Sequence, residues 1–125
     1  MNKSFSMNYR KLKVYQMAFK LAIEIHRESK KFPEEERYSL TNQIRKSTRS
    51  VCANLAEGYR KRRYRNHFIN KLTDADSENS ETMVWLEFSH EFEYIDQDLF
   101  TSWTTICTEI GYLLNYMIKY PEKFS

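Results

Sequence analysis

Residues 40–59 read LTNQIRKSTRSVCANLAEGY, and this stretch limits the possible folds more than any other in the chain. At about 100° per residue, Leu40, Ile44, Ser47, Thr48, Val51, Leu55 and Gly58 fall on one arc, with Cys52 at its edge. That is the stripe of a helix packed on a core. Several of these side chains are small, so a neighbouring helix is expected to approach closely. Gln43, Ser50 and Asn54 flank the stripe, Arg45 and Arg49 lie across from it, and the helix runs out into Arg60, Lys61, Arg62, Arg63 and Arg65. The same element therefore builds a core and carries a concentrated positive charge.

The rest of the chain repeats the helical period. The 125 residues hold only two Gly and two Pro, so long regular elements with short links are expected, in one domain of about average size. Residues 1–8 show no periodicity and are expected to be a loose arm. From 9 to 29, Tyr15, Phe19, Ala22 and His26 form one stripe and Val14, Ala18, Leu21 and Ile25 a second beside it, a face wide enough for two neighbours. In the first connection, 30–38, Pro33 biases Phe32 away from the helical region, Glu34, Glu35 and Glu36 precede the second helix (40–60), where its dipole favours acids, and Ser39 or Thr41 is expected to cap it. The third helix, 65–92, carries Phe68, Leu72, Ala75, Asn79, Thr82, Leu86 and Ser89 in a heptad whose polar members need partners. The fourth, 97–119, begins at Asp96 or Asp98 and repeats Leu99, Trp103, Ile106, Ile110, Leu113 and Met117, with Cys107 and Leu114 beside them, before Pro121 stops it. Four helices on short links predict an all-α, antiparallel up-down-up-down four-helix bundle.

Charge is distributed unevenly. Residues 1–72 contain 18 Lys and Arg against 6 Asp and Glu, whereas residues 73–125 contain 2 against 11. The halves are expected to attract each other, within or between subunits. No run of eighteen apolar residues exists and the first thirteen residues lack an apolar signal core, so neither a membrane span nor a secretory signal is predicted and the expected location is cytoplasmic. Cys52 and Cys107 lie in helical stripes and read as reduced core thiols.

Catalytic signals are thin. Glu87 and His90 form a single Glu-x-x-His, whereas di-iron carboxylate bundles carry that pair twice; Glu24, Glu57 and Glu109 on the other helices have no matching histidine. Neither a G-x-S-x-G turn nor a phosphate-cradling glycine loop occurs. The expectation is no enzyme, no metal and no cofactor. The basic run interleaved with Tyr59 and Tyr64 offers cations for phosphates and rings for bases, although a self-solvating basic turn would look the same. Trp85, Phe88 and Phe92 form an apolar row roughly opposite Met83 and Leu86. A row left over once a bundle closes predicts a subunit interface.

Segments in order along nearly the whole chain carry a family resemblance. They are Leu12-Lys13-Val14-Tyr15 with Ala18, Phe32-Pro33-Glu34-Glu35-Glu36 with Tyr38-Ser39-Leu40-Thr41, Gln43-Ile44-Arg45-Lys46-Ser47, and Ala53-Asn54-Leu55-Ala56-Glu57-Gly58. Phe68, Glu78, Glu81-Thr82, Trp85-Leu86-Glu87-Phe88 and Tyr94-Ile95 follow. The sequence resembles the 23S rRNA intervening-sequence proteins, with the second helix the most specific match. It departs from them at Tyr64, where a capping Ser is usual, and at Glu93, where Gly usually precedes the Tyr.

The resemblance implies a four-helix bundle in a homopentameric ring, no known catalytic activity, and genes often set within large-subunit ribosomal RNA insertions. A related branch, the accessory variability protein of diversity-generating retroelements, works beside a reverse transcriptase and binds nucleic acid, which adds that enzyme as a partner if this chain belongs to that branch. Two functional expectations follow. One is a non-enzymatic oligomeric scaffold contacting RNA or DNA through Arg45, Lys46, Arg49, Arg60, Lys61, Arg62, Arg63 and Arg65, with Trp85, Phe88 and Phe92 at the oligomer interface. The alternative is a protein-only interaction module whose basic and acidic halves pair with each other.

Overall fold

The helices fall close to where the periodicity puts them: α1 (Lys13–Glu28), α2 (Leu40–Arg60), α3 (Arg65–Glu91) and α4 (Gln97–Lys119). The structure, a computed structural model, describes residues 9–124, so the arm expected at 1–8 lies outside it. Sequential helices run antiparallel, as the contacts between them require. Arg45 of α2 reaches Ser29 just past α1, Ser47 meets Thr82 in mid-α3, and Gly58 lies against Lys71 near the start of α3. Asn79 of α3 reaches Cys107 of α4, while Trp103, early in α4, donates to Glu24, late in α1, at 3.1 Å. The all-α four-helix bundle is the observed fold.

In α3 the buried residues are those of the sequence stripe, from Phe68 to Ser89, and in α2 they are the stripe from Leu40 to Gly58 with Thr41 added. The other two helices differ. Helix α1 begins four residues later than expected, because Leu12 is extended and 9–11 form a separate turn, held where Tyr9 meets the Tyr15 ring edge-on and Gln16 Nε2 donates to the Arg10 carbonyl at 2.9 Å. Only its Val14, Ala18, Leu21 and Ile25 stripe is buried; Phe19 of the other stripe is 51% exposed. In α4 the buried line is Trp103, Cys107, Ile110, Leu114 and Met117, with Leu99, Ile106 and Leu113 only partly covered. This rotation turns Cys107 and Gly111, the small residues of α4, toward Asn79.

The polar members of the α3 heptad find their partners there. Asn79 Nδ2 donates to the Cys107 carbonyl at 2.9 Å, and the hydroxyls of Thr82 and Ser47 are 2.8 Å apart. A buried polar group so paired costs little and fixes the helix register, whereas an unpaired one would cost about 1–3 kcal/mol.

The helix ends also depart from the expected caps. Ser39 holds the N-cap position of α2 but its side chain makes no capping bond. Glu36, raised by the short turn Glu34–Glu36, accepts the Leu40 amide on Oε1 at 3.2 Å instead. Asp96 caps α4 through the Leu99 amide at 2.8 Å. Beyond α3, Glu93 has a φ of 64°, with its amide on the His90 carbonyl (3.0 Å) and the Tyr94 amide on that of Ser89 (2.8 Å). This bond pair is a Schellman stop, whose left-handed residue is usually Gly.

Candidate functional site

Helix α2 ends at Arg60, and the turn that follows is ordered by its own aromatic rings. Arg62 Nη1 donates to the Tyr59 carbonyl at 2.9 Å while the guanidinium lies 4.1 Å from the centre of the Tyr59 ring. Arg63 sits 5.7 Å from the Tyr64 ring. Arg60, Lys61, Arg63 and Arg65 are exposed. Arg65 is 3.7 Å from Glu122, an ion pair with both side chains mostly in water, a class of pair that contributes about 0–1 kcal/mol. Among the described residues, Asp74, Asp76, Glu78 and Glu81 make no ion pair with this run.

Arg45, Lys46 and Arg49 lie elsewhere. At 1.5 Å rise per residue, Arg45 and Arg62 are separated by roughly 25 Å along the helix axis, so the eight candidate phosphate contacts form two clusters. Arg45 is half-buried, with Nε donating to Ser29 Oγ at 2.8 Å and Nη2 to the His26 carbonyl at 3.3 Å. Arg49 Nη2 is 3.0 Å from His26 Nδ1; a guanidinium only donates, so Nδ1 accepts and the imidazole is neutral. Burial first, and then Arg45, Arg49, Lys30 and Arg27, lowers the pKa of His26 below its ordinary value. Lys46 sits where its charge acts on Glu78, whose pKa is nevertheless raised, by burial above all and by Glu81 and Asp74. The N-terminal half of α2 thus carries its own group of cations, with His26 among them.

The aromatic row exists but is less bare than three free rings. Trp85 is half-buried; Phe88 and Phe92 are 46% and 50% exposed. Their rings form a chain, with centroids 6.2 Å apart from Trp85 to Phe88 and 5.9 Å from Phe88 to Phe92. They border a groove of about 400 Å³ closed by Glu36, Ser39, Leu40 and Gln43. The Trp85 indole N–H is buried without an acceptor among the described residues. A second groove, of about 510 Å³, runs between α1 and α2 over Tyr15, Phe19, Ala22, Cys52, Ala53 and Ala56. Sequence reasoning placed Phe19 in an apolar stripe, yet it lies at the surface, because a 4,3 stripe does not reveal which of two adjacent faces a neighbour covers.

Burial raises the Cys52 thiol to about 11 and that of Cys107 to about 12, so neither is a thiolate at neutral pH. Glu87 is exposed, and His90 stacks on Phe100 with ring centroids 4.4 Å apart. Among the described residues no group of three or more His, Cys, Asp and Glu is placed to hold a metal ion, and no helix is long and apolar enough to cross a membrane.

The sequence model of the 23S rRNA-intervening sequence protein family matches residues 10–116, which span all of α1 to α3 and nearly all of α4. The chain belongs to this family. A crystal structure of a protein of unknown function of the S23 ribosomal protein family, from Bacteroides thetaiotaomicron, is 33% identical and superposes with a TM-score of 0.76. The match covers 85% of this family member and 95% of the Bacteroides chain. No curated protein matches it.

Proposed function

We propose that the protein is a non-enzymatic scaffold that self-assembles and binds RNA or DNA through the cations of α2 and the α2–α3 turn. The observation that carries this reading is the uncompensated charge: of the eight candidate cations only Arg65 has an ion-pair partner among the described residues. The Tyr59 and Tyr64 rings beside them add stacking surfaces suited to single-stranded bases. Filter binding of a structured RNA across a salt series tests it. Affinity is expected to fall steeply as salt rises, and Ala at Arg62, Arg63 and Arg65 to weaken it and flatten the slope. A slope that the triple variant leaves unchanged would overturn the assignment of these residues.

The assembly half of the proposal rests on the aromatic row and the two grooves. With Phe88 and Phe92 each about half bare, the row offers roughly 150–250 Å², or on the order of 5 kcal/mol at about 25 cal/mol per Å². A specific interface takes roughly 800 Å² per partner, so the row has to be joined by further surface, for which the α1–α2 groove is the other apolar region. Two unlike patches meeting head to tail close into a ring. Five subunits follow the family resemblance. Light scattering decides this: a 15.2 kDa species at micromolar concentration rejects assembly, and a dimer rejects the ring. The protein-only alternative is favoured by the buried Trp85 N–H, which a partner's carbonyl would satisfy. It predicts no measurable RNA binding at low salt.

A further inference from the structure

Where α1 gives way to α2 the chain leaves a notch of about 190 Å³, lined by Ser29, Lys30, Glu34, Arg37, Thr41 and Arg45 over the side chains of Phe32 and Pro33. Thr41 is only 6% exposed, and its hydroxyl is buried with no hydrogen-bond partner among the described residues. An orphaned buried hydroxyl is unfavourable, so the site retains a donor for which the described residues supply no acceptor. Thr41 belongs to the first turn of α2, whose leading amides have no intrahelical acceptor; Glu36 takes the Leu40 amide.

Arg45 supplies the charge. Two of its five N–H groups go to neutral oxygens, Ser29 Oγ and the His26 carbonyl. No carboxylate of the described residues pairs with it or with Lys30. Glu34, the one acid in the lining, is held at the rim by Arg37 at 3.2 Å, with its side chain 82% exposed. Three cations thus face one outward carboxylate.

We propose that this notch binds a phosphate group, held by the Arg45 guanidinium, the Lys30 ammonium and the Thr41 hydroxyl. A tetrahedral oxyanion presents oxygens in several directions and can meet all three donors, whereas a carboxylate presents two in one plane. The volume lies below the roughly 300 Å³ at which sites for whole small molecules begin, which suits a single group. The phosphate comes either from a nucleic-acid strand, which would extend the scaffold reading above, or from free inorganic phosphate, which does not depend on it.

The test is an NMR titration at constant ionic strength, once with inorganic phosphate and once with a short single-stranded RNA, on wild type, Thr41→Val and Arg45→Gln. Wild-type amides of Thr41 and Asn42 are expected to shift saturably, and the His26 pKa to rise as an anion offsets its cationic neighbours. Thr41→Val keeps the shape and removes a buried orphan, so it is expected to be at least as stable as wild type while binding phosphate roughly tenfold more weakly, the loss of one bond to a charged group. Response to both probes or to inorganic phosphate alone supports a free-phosphate site; response to RNA alone, weakened by Thr41→Val, supports a strand phosphate. If neither probe shifts these amides, or if Thr41→Val and Arg45→Gln bind like wild type, the notch is not a phosphate site. RNA binding that survives both substitutions but fails in the Arg62, Arg63 and Arg65 triple variant would overturn the notch and leave the nucleic-acid reading intact.

Discussion

The Tyr94 hydroxyl donates to Glu36 Oε2 at 2.9 Å, 58 residues away in sequence, while the other oxygen of the same carboxylate accepts the first amide of α2. One side chain therefore caps a helix and ties it to the stop after α3. Phe32 packs beside this pair, its ring centroid 5.3 Å from that of Tyr94.

Tyr94→Phe is expected to lower the thermal midpoint, and Glu36→Gln to lower it further because it weakens the cap as well as the bond. The bond to Glu36, followed by burial and the charge of Glu36 and Glu35, raises the Tyr94 pKa. Its contribution is thus complete below the ordinary tyrosine value of about 10 and is lost as pH rises through the folded value. Thermal melts between neutral and strongly alkaline pH check this: wild type should lose its advantage over Tyr94→Phe at the alkaline end.

Glu93 occupies a left-handed conformation that costs a non-glycine residue about 1–2 kcal/mol. Glu93→Gly removes that strain but loosens the unfolded chain, so the net gain is expected to be about 0.5–1 kcal/mol. Urea denaturation should show a higher midpoint with an unchanged slope. A lower midpoint would mean that the Glu93 side chain holds the stop by contacts of its own.

Gly58 marks the closest approach of α2 to α3, where an added Cβ would lie 2.8 Å from Lys71 Cβ. That neighbour sits at the root of its side chain and cannot swing away. Gly58→Val is expected to cost about 1–3 kcal/mol by overpacking, and Gly58→Ala less, because better helix propensity returns about 1 kcal/mol. Chemical denaturation of both variants gives the ranking; equal stability of all three proteins would show that the helices separate at no cost.

His26 predicts an acid-side loss of stability. Its folded pKa is lowered, by burial first and by four cations after it, so as pH falls the unfolded chain takes up the proton first. The contribution is complete above the unfolded value of about 6.5 and is lost as pH falls through the folded one. His26→Gln is expected to flatten that part of the stability profile, read as urea midpoints from neutral to mildly acidic pH. An unchanged slope would assign the acid loss to other groups.

The helices of this bundle were legible because their apolar periods are long and uninterrupted; the α3 stripe reappears residue for residue as a buried face, and the α2 stripe does so with Thr41 added. What the sequence could not reveal were relations set in three dimensions. The rotation of α4 depends on where Asn79 reaches across the core, and the α2 cap belongs to Glu36 because a short turn lifts its carboxylate, which no N-cap propensity for Ser39 anticipates. The basic residues read as one site, yet helix rise separates them into two. The unpaired Thr41 hydroxyl carries no sequence signal at all, since threonine in a first helical turn is ordinary.

The hold of Tyr59 on Arg62 has a consequence for binding kinetics. A long side chain that must be immobilised upon encounter forfeits roughly 0.5–1.5 kcal/mol of rotamer freedom. Arg62 has already surrendered much of that freedom to the Tyr59 ring and carbonyl, during folding. Under the proposed nucleic-acid reading, Arg62 would meet a strand as a pre-placed charge, favouring strands whose phosphates match its position. Loosening it with Tyr59→Leu should leave the net charge untouched and still slow productive encounters.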